Sequence, residues 1–546
     1  MEIDLHLHDA AVLTLDGDGL GRTARGLAIH GGRVLAVLDD GSLPAGVTAR
    51  RTVGCAGATV VPGFGDAHNH MAWYGQTLAE IDLAGMRTLD EVYDAVAQRA
   101  AELPPNAFVV GSGYDDVLLG GSPHHAALDR AAGGRPVRLQ HRSGHVCAAS
   151  TEALRRAGIL SGTVIAPEGG KIVLDDEGAP TGVVEEAAQP LIADLMRPYA
   201  VPDVAEALGR ASAVYAAQGL TQVTECGIAA GFMGRTPREA GAYQLAREQG
   251  LLAQRVVVMP VDAALHEVSG GEGVGVDLGM RTGFGDDRLR LGPMKIFLDG
   301  ALSSRTAAMS EPFVDRDHAG YYQDDPDHMH DMIVGAHLAG WTVAAHAIGD
   351  RAVAMGLDAF ADAQARLPRP TVRHRIEHAG VVSDEEIQRF AALGITPVPQ
   401  ARFLVEIGDS MAAAVGDRTD LLYRHASFLR AGVRVPSSSD RPCVADGHPL
   451  RTMAAMVTRR SSSGRLIGPD ERVDAVTALR SLTVDTAWIA GDEALRGSLA
   501  VGKYADLVVL GDDVTAIDPD RIGDTEVVAT LLEGEPTHGA AALGLD

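Results

Sequence analysis

Short apolar runs alternate with helical stretches through the middle of the chain, and this pattern predicts parallel strands joined by helices. Eight of the runs are candidate core strands, the number that closes a TIM-type barrel. These runs are TVVPG near Val60, LTQVTE near Val223, RVVVMP near Val257, MKIFLDG near Ile296, VAAHAIG near Ala345, VRHRIEH near Ile376, ITPVPQ near Val398 and VRVPSSSD near Val435. Helices are expected at Val204–Gln218, Glu385–Leu393 and Asp420–Ala431. The fold class predicted is therefore α/β, built on a TIM-type (β/α)8 barrel.

The two ends of the chain differ from the middle, because they read as short strands separated by turns. Gly31-Gly32 predicts a hairpin in the first segment, and Gly497–Leu510 near the end again has short apolar runs separated by turn residues. We expect residues 1–57 and 491–546 to form one small β-sandwich domain, with the barrel of residues 58–490 inserted between them.

The barrel region contains more apolar runs than eight strands need. Two of them, near Val110 and Leu139, are assigned to an insertion at about 71–201, after the first barrel strand. The stretch Ser269–Gly275 is expected to be a loop, because it is rich in glycine and has no periodicity.

Composition narrows the class of protein. A chain of 546 residues can bury a large core in two or three units, and a net charge of −26 argues against nucleic acid or an anionic membrane as partner. The four cysteines are scattered, which disfavours a structural zinc finger or a disulfide framework. The start lacks a basic segment followed by an apolar one, and no long apolar span follows, so the expectation is a cytoplasmic enzyme.

The first candidate chemistry is the pair His68 and His70, which follows the apolar run in ATVVPGFGDAHNH. Side chains i and i+2 share one face of a strand, so two imidazoles at its end can bind one metal ion. Pro62 and Gly63 are expected to mark the change from strand to loop. The spacing alone is weak evidence, since His6 and His8 repeat it in a terminal strand where a solvated face is the better interpretation.

Polar residues also close the other predicted strands, at Lys295, His346, His378 and Asp440. The carboxyl ends of barrel strands converge on one face, so these side chains could surround one point. A buried lysine there would be costly to keep charged. It could pair with a carboxylate, act as a base, or react as the neutral amine with CO2 to form a carbamate that bridges two metal ions.

Nine segments in order then resemble the amidohydrolase superfamily, and more narrowly the branch that includes the N-substituted formamide deformylases (amidohydrolase family 3). The segments are VVPGFGDAHNH, GSGYDD, SGHVCAASTEALRRAGI, GGKIVLDDEGAPTGVVEEAA, MKIFLDGALSSRTA, AAHAIGDRAV, RIEHAG, SSSDRP and GSLAVGKYADLVVL. Each is a weak signal, but together and in this order they are specific and span almost the whole chain.

The resemblance implies a role for each strand-end residue. His68 and His70 would bind the more buried metal ion, a carboxylated Lys295 would bridge, and His346 and His378 would bind the second ion. Asp440 would contact the buried ion and take a proton from the attacking water. One or two divalent ions are expected; zinc comes first, although cobalt, manganese and iron also suit these ligands.

The implied reaction is hydrolysis of a carbon–nitrogen bond in an N-substituted amide, a formamide or another small acyl amide, by metal-activated hydroxide. The alternative is a deaminase or a cyclic amide or carbamate hydrolase of the same superfamily, and Lys295 counts against the one-metal deaminases. A non-catalytic scaffold is the third hypothesis, and the complete ligand set argues against it. The expected partner is a small-molecule amide, without nucleic acid or membrane, and relatives often form homo-oligomers.

Three residues near the site each have two interpretations. The family match places His145 near the substrate carbonyl, as a second catalytic residue, whereas by itself it reads as a surface histidine. Tyr114 and Asp115 line the substrate pocket or belong to a turn that caps a helix.

Three further residues are pocket candidates, and each has a second interpretation. Trp73 contacts an aromatic substituent or packs the insertion onto the barrel. Glu225 is an extra ligand or the partner of a nearby base. Arg305 lines the pocket, or, as is better expected for it and for Asp299, it hydrogen-bonds to the metal ligands from behind or orders a loop.

Other polar residues are expected to be structural. Glu377 has the opposite strand parity to His378 and should face the helices, and His374 should lie deeper in the barrel. Cys226 and Cys443 are expected to be small apolar fillers, because a water nucleophile makes a thiol unnecessary.

Overall fold

The structure is a computed structural model that describes residues 1–162, 164–167, 169–229, 236–268 and 272–545. Contacts between Cα atoms divide the chain into two compact units. The first comprises Met1–Ala72, Leu208–Phe232 and Pro237–Asp546, and the second comprises Trp73–Ala207 and Met233–Thr236. Most of the predicted insertion at about 71–201 lies in the second unit.

The first unit contains two four-stranded parallel sheets. In spatial order, the strands of one are Leu289–Leu291, Arg255–Pro260, Leu220–Ile228 and Phe64–Asn69, and those of the other are Met294–Phe297, Val343–Ala347, Arg375–His378 and Thr396–Val398. Only Gly292 and Pro293 separate Leu289–Leu291 from Met294–Phe297. The first of these strands pairs with Arg255–Pro260 and the second with Val343–Ala347, so one stretch of chain joins both sheets.

The predicted strand near Val435 is irregular but still bonds to the first strand. The Ala67 N–H donates to the Ser437 carbonyl at 3.0 Å, and the Asp440 N–H donates to the His68 carbonyl at 2.8 Å. Asp440 has a positive φ of 57°, which takes the backbone out of strand geometry. The segment after Val435 is therefore hydrogen-bonded to the strand Phe64–Asn69, although it is not a regular strand itself.

The prediction that TVVPG near Val60 is the first barrel strand was wrong. Thr59–Pro62 pairs antiparallel with Leu507–Leu510 and parallel with Ala11–Leu13, in a different sheet. The chain changes sheet at Gly63, where a Cβ atom would lie 2.2 Å from the hydroxyl oxygen of Thr221. Pro62-Gly63 thus separates two strands, and the first strand of the parallel sheets is Phe64–Asn69.

Two antiparallel-rich sheets also lie in the first unit, and one of them combines both ends of the chain. Its strands, in spatial order, are Glu535–His538, Val527–Leu532, Leu507–Leu510, Thr59–Pro62, Ala11–Leu13 and Thr23–Ala24. The other sheet has the order Arg33–Leu38, Gly26–His30, Glu2–His8 and Thr48–Gly54. The predicted hairpin turns at Gly31 and Gly32, at φ of 58° and 73°. Leu5, Val12 and Leu507 share one apolar core.

His6 does not lie on a solvated face of its strand, contrary to what the sequence had indicated. Its imidazole is buried, and its Nε2 atom donates to the Gly41 carbonyl at 2.8 Å. A solvated face was therefore wrong for this residue, which is held by a backbone hydrogen bond.

Helices connect most of the parallel strands or follow the last of them. Those of the first unit, together with the helix that leads into it, are Val201–Ala217, Ala240–Glu248, Pro326–Leu338, Asp350–Arg366, Asp384–Leu393, Ala401–Glu406, Gly408–Val415, His425–Arg430, Pro449–Thr458, Ala475–Arg480 and Thr486–Ile489. Asp384–Leu393 begins at a capping box between Ser383 and Glu386 and ends at Gly394 in the left-handed region. The expected helix Asp420–Ala431 is α-helical only over His425–Arg430. None of the helices in the described part of the chain combines the length and apolarity that crossing a bilayer requires.

The second unit has a six-stranded sheet of its own. Its strands, in spatial order, are Gly170–Leu174, Pro180–Glu186, Val146–Ala149, Val137–His141, Val109–Tyr114 and Ile81–Asp82. Its helices are Leu89–Glu102, Asp116–Leu119, His125–Ala132, Thr151–Arg156 and Pro190–Ala193, and Met71–Thr77 leads into it. The expected strands near Val110 and Leu139 are both present. Of the expected loop Ser269–Gly275, residues 269–271 lie outside the described residues, and Val274–Gly275 pairs with His266–Glu267.

Candidate metal centre

The structure brings His68, His70 and Asp440 together. The Oδ1 atom of Asp440 lies 3.1 Å from Nε2 of His70 and 3.3 Å from Nε2 of His68. All three side chains are buried. The backbone explains the meeting, since the strand that carries His68 also accepts the Asp440 N–H, and the His70 N–H donates to the Arg441 carbonyl at 2.9 Å.

Two more imidazoles join this group from the second parallel sheet. The ring centroids of His346 and His378 are 4.4 Å apart, and those of His68 and His378 are 4.9 Å apart. His346 and His378 come from adjacent parallel strands, in which Ala347 is opposite His378. Strand ends that are distant in sequence thus assemble one cluster, as expected for the carboxyl ends of parallel strands.

Lys295 is the buried amine of this region. Its side chain is 0% exposed, and within the described residues its Nζ atom has no hydrogen-bond partner. The centroid of the Phe297 ring lies 4.8 Å from Nζ. A buried amine without a hydrogen-bond partner among the described residues is unusual, because burying a polar group without a partner costs free energy.

Hydrogen bonds on the outer side of the rings decide which nitrogens face the cluster. Nδ1 of His68 contacts a carboxylate oxygen of Glu377, so Nδ1 carries a proton and Nε2 is the nitrogen that points toward Asp440. Nε2 of His346 donates to the Gly300 carbonyl at 3.0 Å, which leaves Nδ1 free.

His378 is fixed by an amide in the same way. Its Nδ1 atom donates to Oε1 of Gln400 at 2.7 Å, while the Gln400 amide nitrogen donates to the Val398 carbonyl at 2.9 Å and to the Ser438 hydroxyl at 3.1 Å. The side chain of Gln400 therefore has one orientation. This bond sets the tautomer of His378, with Nε2 as the unprotonated nitrogen, before any ligand binds.

The electrostatics differ between the two pairs of imidazoles. Burial would lower the pKa of His68 and His70, but neighbouring anionic groups, Asp440 among them, raise it above the ordinary value. Burial and the nearby Lys295 lower the pKa of His346 to about 3. Burial and the neighbouring His346 lower the pKa of His378 well below its ordinary value, so both rings are neutral. Burial would raise the pKa of Asp440, but His68 and His70 together hold it well below the ordinary range. Asp440 is therefore a carboxylate.

Glu377 is the residue that sequence reasoning misplaced. It was expected to face the helices, yet its carboxylate contacts His68 and pairs with Arg375, whose Nη2 atom is 2.8 Å from Oε2. Alternation fails here because His378 has a positive φ of 69°, so two consecutive side chains reach the cluster. Burial opposes its ionisation, but Arg375 and His68 lower the pKa of Glu377 well below its usual value.

His374, on the same stretch of chain, is structural as predicted. Its Nε2 atom lies 2.8 Å from Nδ1 of His337, and its Nδ1 atom accepts the Val343 N–H at 3.0 Å. The ring also stacks on Phe360. These contacts fill both ring nitrogens.

Glu225 lies behind His70. One carboxylate oxygen is 3.7 Å from Nδ1 of His70, and the other accepts the Ala72 N–H at 3.0 Å and the Tyr243 hydroxyl at 2.7 Å. The carboxylate is buried. Of the two interpretations open from the sequence, this geometry favours the partner of a ligand over an extra ligand or a pocket wall.

Arg305 and Asp299 order the loops after the strand that carries Lys295. Arg305 pairs with Asp315 at 2.8 Å and donates to the Leu302 and Ser303 carbonyls at 3.0 and 2.9 Å, which argues against the expected place in the substrate pocket. Asp299 accepts the backbone N–H groups of three residues and lies 3.5 Å from Nε2 of His346. Burial raises the pKa of Asp299 to about 7.

Four candidate residues belong to the second unit. Asp115 caps the helix Asp116–Leu119 by accepting the Val117 N–H at 3.0 Å, and it pairs with Arg142 at 2.6 Å. Tyr114 is buried in that unit's core. Trp73 is half-buried in the helix Met71–Thr77. His145 is exposed, and its Nδ1 atom lies 2.9 Å from the Glu186 carboxylate, so its catalytic role stays a prediction.

The cysteines that were expected to be fillers differ from each other. Cys226 is buried beside Met259 and Ala344, in agreement with the prediction. Cys443 is exposed, so the expectation of a buried filler was wrong for it. Its N–H donates to the Asp440 carbonyl at 2.8 Å, which makes it part of the turn that follows Asp440. All four cysteines are free.

The donor set fits divalent metal ions. It offers four imidazole nitrogens whose opposite nitrogens are occupied or backed by protein oxygens, and one buried carboxylate between two of them. Lys295 adds a buried amine without a partner in the described chain, the group that carboxylation would convert into an oxygen ligand. Imidazole and carboxylate together suit zinc and its first-row neighbours.

Comparison with known proteins defines the class to which this fold and site belong. The chain belongs to the amidohydrolase family, whose sequence profile matches residues 51–538. It is therefore a hydrolase that acts on carbon–nitrogen bonds, of a superfamily that depends on divalent metal ions, and the resemblance inferred from the nine segments is confirmed.

Particular relatives agree over most of their length. The chain is 30% identical to an N-substituted formamide deformylase of Arthrobacter pascens, over 97% of both chains. It is also 30% identical to the protein LONG AFTER FAR-RED 3 of Arabidopsis thaliana, over 89% of this chain and 84% of the relative. A solved structure, an uncharacterized metal-dependent hydrolase from Pyrococcus furiosus, covers 94% of this chain and 99% of its own, with 25% identity and a TM-score of 0.77. These neighbours imply a TIM-barrel-type α/β fold.

Proposed function

We propose that this protein hydrolyses the carbon–nitrogen bond of an N-substituted amide, with a formyl or another small acyl group as the acid portion. The observation that carries the proposal is the buried meeting of Asp440 with His68 and His70 beside two further imidazoles. The formamide deformylase of Arthrobacter pascens, similar over 97% of its length, supports the choice of amide class.

The finer architecture belongs to this proposal. We propose that the two parallel sheets form one closed (β/α)8 barrel, supported by the bonds from Ser437 and Asp440 to the first strand. The two sheets that share the core of Leu5 and Leu507 would form a small β-sandwich made from both chain ends.

Two divalent ions would be held by residues of the first unit, with zinc as the first expectation. His68, His70 and Asp440 would hold one ion, and His346 and His378 the other. Lys295 would bridge them as a carbamate: its neutral amine adds to the carbon of CO2 and loses a proton, which leaves an anion with two ligand oxygens. Its burial without a partner among the described residues supports this assignment.

When bound, such ions lower the pKa of water and polarise an amide carbonyl. Asp440 is ionised, so it can accept a proton from the attacking water and hand it to the leaving nitrogen. Amide nitrogen leaves poorly unless it is protonated, so this transfer matters as much as the attack. The hydrogen bonds on His68, His346 and His378 would hold the three rings in place during this transfer.

The test combines metal content with a substrate screen. Protein purified without chelator and without added metal should contain about two zinc-like ions per chain by elemental analysis. N-substituted formamides should be hydrolysed, with release of formate and amine measured separately. The matched control is the variant His374→Phe, which removes a buried histidine outside the cluster and should retain metal.

Other results would change the proposal in specific ways. About one ion per chain, with ammonia released from an aminated ring substrate, would indicate the deaminase alternative. No bound metal, and no activity after metal is supplied, would contradict the enzymatic proposal.

His145 has its own test, since its place in the site is still a prediction. If it contacts the substrate carbonyl, His145→Asn should lower kcat/KM by about 10-fold or more. Glu186→Gln, which removes only its partner, should have a smaller effect. Equal activity of His145→Asn and the parent enzyme would assign this histidine to the surface.

A further inference from the structure

We propose that Glu377 is a positioning residue for His68, and that Arg375 holds Glu377 in place. Both residues lie on the strand Arg375–His378 and are buried. This inference rests on the proposed role of His68 as a metal ligand. It goes further by assigning a task to an ion pair that the hydrolytic mechanism does not use.

The geometry places the pair on the far side of the imidazole from the cluster. The Glu377 carboxylate contacts Nδ1 of His68, while Nε2 of the same ring points toward Asp440. Because a carboxylate only accepts hydrogen bonds, Nδ1 must carry the proton. In the neutral ring, Glu377 therefore leaves the lone pair on Nε2, the nitrogen that a metal ion would need.

Arg375 holds both the carboxylate and the backbone that precedes the ligand. Its Nη2 atom is 2.8 Å from Oε2 of Glu377 and 2.6 Å from the carbonyl oxygen of Ala67, the residue before His68. Its Nε atom contacts the other carboxylate oxygen of Glu377. One guanidinium thus fixes the ring through Glu377 and the main chain through Ala67.

The same strand serves the other half of the cluster. His378 follows Glu377 directly, and its positive φ of 69° lets the two neighbours face the site together. A shift of this strand would move one ligand and the support of another at once. Carboxylates behind metal-bound histidines typically change metal affinity by about 10- to 100-fold.

The experiment measures metal binding rather than turnover. Metal-free protein is titrated with cobalt(II) in competition with a chelating dye, and thermal midpoints are recorded with and without cobalt. Glu377→Gln removes the charge, and Glu377→Asp keeps the charge but shortens the reach to His68. The control is Asp506→Asn, which breaks another buried carboxylate–arginine pair, that with Arg255 at 2.8 Å, without touching a histidine.

We expect Glu377→Gln to bind cobalt about 10- to 100-fold more weakly and Glu377→Asp to lie between it and the parent protein. The rise in midpoint on cobalt addition should shrink in both, whereas Asp506→Asn should be less stable but show the parent's rise. If Glu377→Gln does not fold, the aspartate variant carries the test.

Two other outcomes separate the inference from the function beneath it. Parent-like cobalt affinity in both Glu377 variants, with only a lowered midpoint, would make the pair purely structural and overturn the inference. Parent-like affinity in His68→Ala would remove His68 from the metal site, and both proposals would fall together.

Discussion

Asp440 meets His68 through both its backbone and its side chain. Its N–H donates to the His68 carbonyl at 2.8 Å, and its carboxylate oxygen lies 3.3 Å from Nε2 of the same histidine. A main-chain bond between the segments therefore sets the distance between two candidate ligands. Their geometry depends on strand register rather than on the flexible end of a loop.

Lys295→Ala should lose metal and activity together. The substitution removes the amine that would carry the carbamate, and alanine offers no oxygen ligand in its place. Added short carboxylic acids should restore part of the activity, because their two oxygens can replace those of the carbamate. Metal content and amide hydrolysis are measured with and without acetate.

The control for that variant is Lys171→Ala, which removes an exposed lysine of the second unit that pairs with Glu185 at 3.5 Å. It should behave like the parent protein with or without acetate. A fully active Lys295→Ala enzyme would disprove the bridging role.

Asp440→Asn should separate metal binding from proton transfer. Asparagine has nearly the same shape but is not a base, so turnover should fall by about 10²- to 10⁴-fold while part of the metal is retained. Elemental analysis and kcat on the same preparations check both halves. Substantial turnover in this variant would exclude Asp440 as the proton carrier.

Tyr243→Phe should lower the stability of the fold, because it removes a hydrogen bond to Glu225, the carboxylate behind His70. The Tyr243 hydroxyl donates to Glu225 at 2.7 Å in a buried setting, and loss of such a bond to a charged group costs about 1.5–3 kcal/mol. The free energy of unfolding, from urea titration, should fall by that amount. Phe313→Leu, a core change away from Glu225, controls for packing; a stability equal to the parent's for Tyr243→Phe would show that water replaces the hydroxyl.

Acid should destabilise the fold through buried histidines, with His374 as the test case. Burial, then the neighbouring His337 and Arg369, lower its pKa to about 3. The unfolded chain binds this proton near pH 6.5, but the folded chain does not until about pH 3. The contribution of the neutral ring is therefore complete above pH 6.5 and is lost as the pH falls.

Urea midpoints at pH 7.5 and 5 measure this effect. His374→Phe should be less stable than the parent at pH 7.5, yet lose less stability between the two values. His328→Asn, at an exposed histidine, should follow the parent at both. An identical pH dependence in His374→Phe and the parent would show that His374 does not cause the loss of stability in acid.

Much of the fold followed from periodicity. Seven of the eight predicted runs lie in or along the parallel sheets, because buried parallel strands read as continuous apolar segments. The exception, near Val60, is equally apolar but pairs with Leu507–Leu510. Apolarity shows that a strand is buried, and it does not show which partner, hundreds of residues away, will pair with it.

The site was predictable where it depended on strand ends, and less so where it depended on the backbone between them. His68, His346 and His378 could be nominated because each ends an apolar run. Glu377 could not, since its orientation follows from the positive φ of His378. Gln400 gave no sequence signal, because its role comes from an amide that meets His378 only after folding.

The left-handed backbone at His378 has a consequence for protein engineering. A designer who copied the side chains of this cluster onto an ideal strand would turn Glu377 away from the very histidine it contacts. The transferable unit is therefore the backbone bend together with its residues. Libraries that vary amino-acid identity on a regular scaffold would miss this arrangement, whereas libraries that vary the end of the strand could reach it.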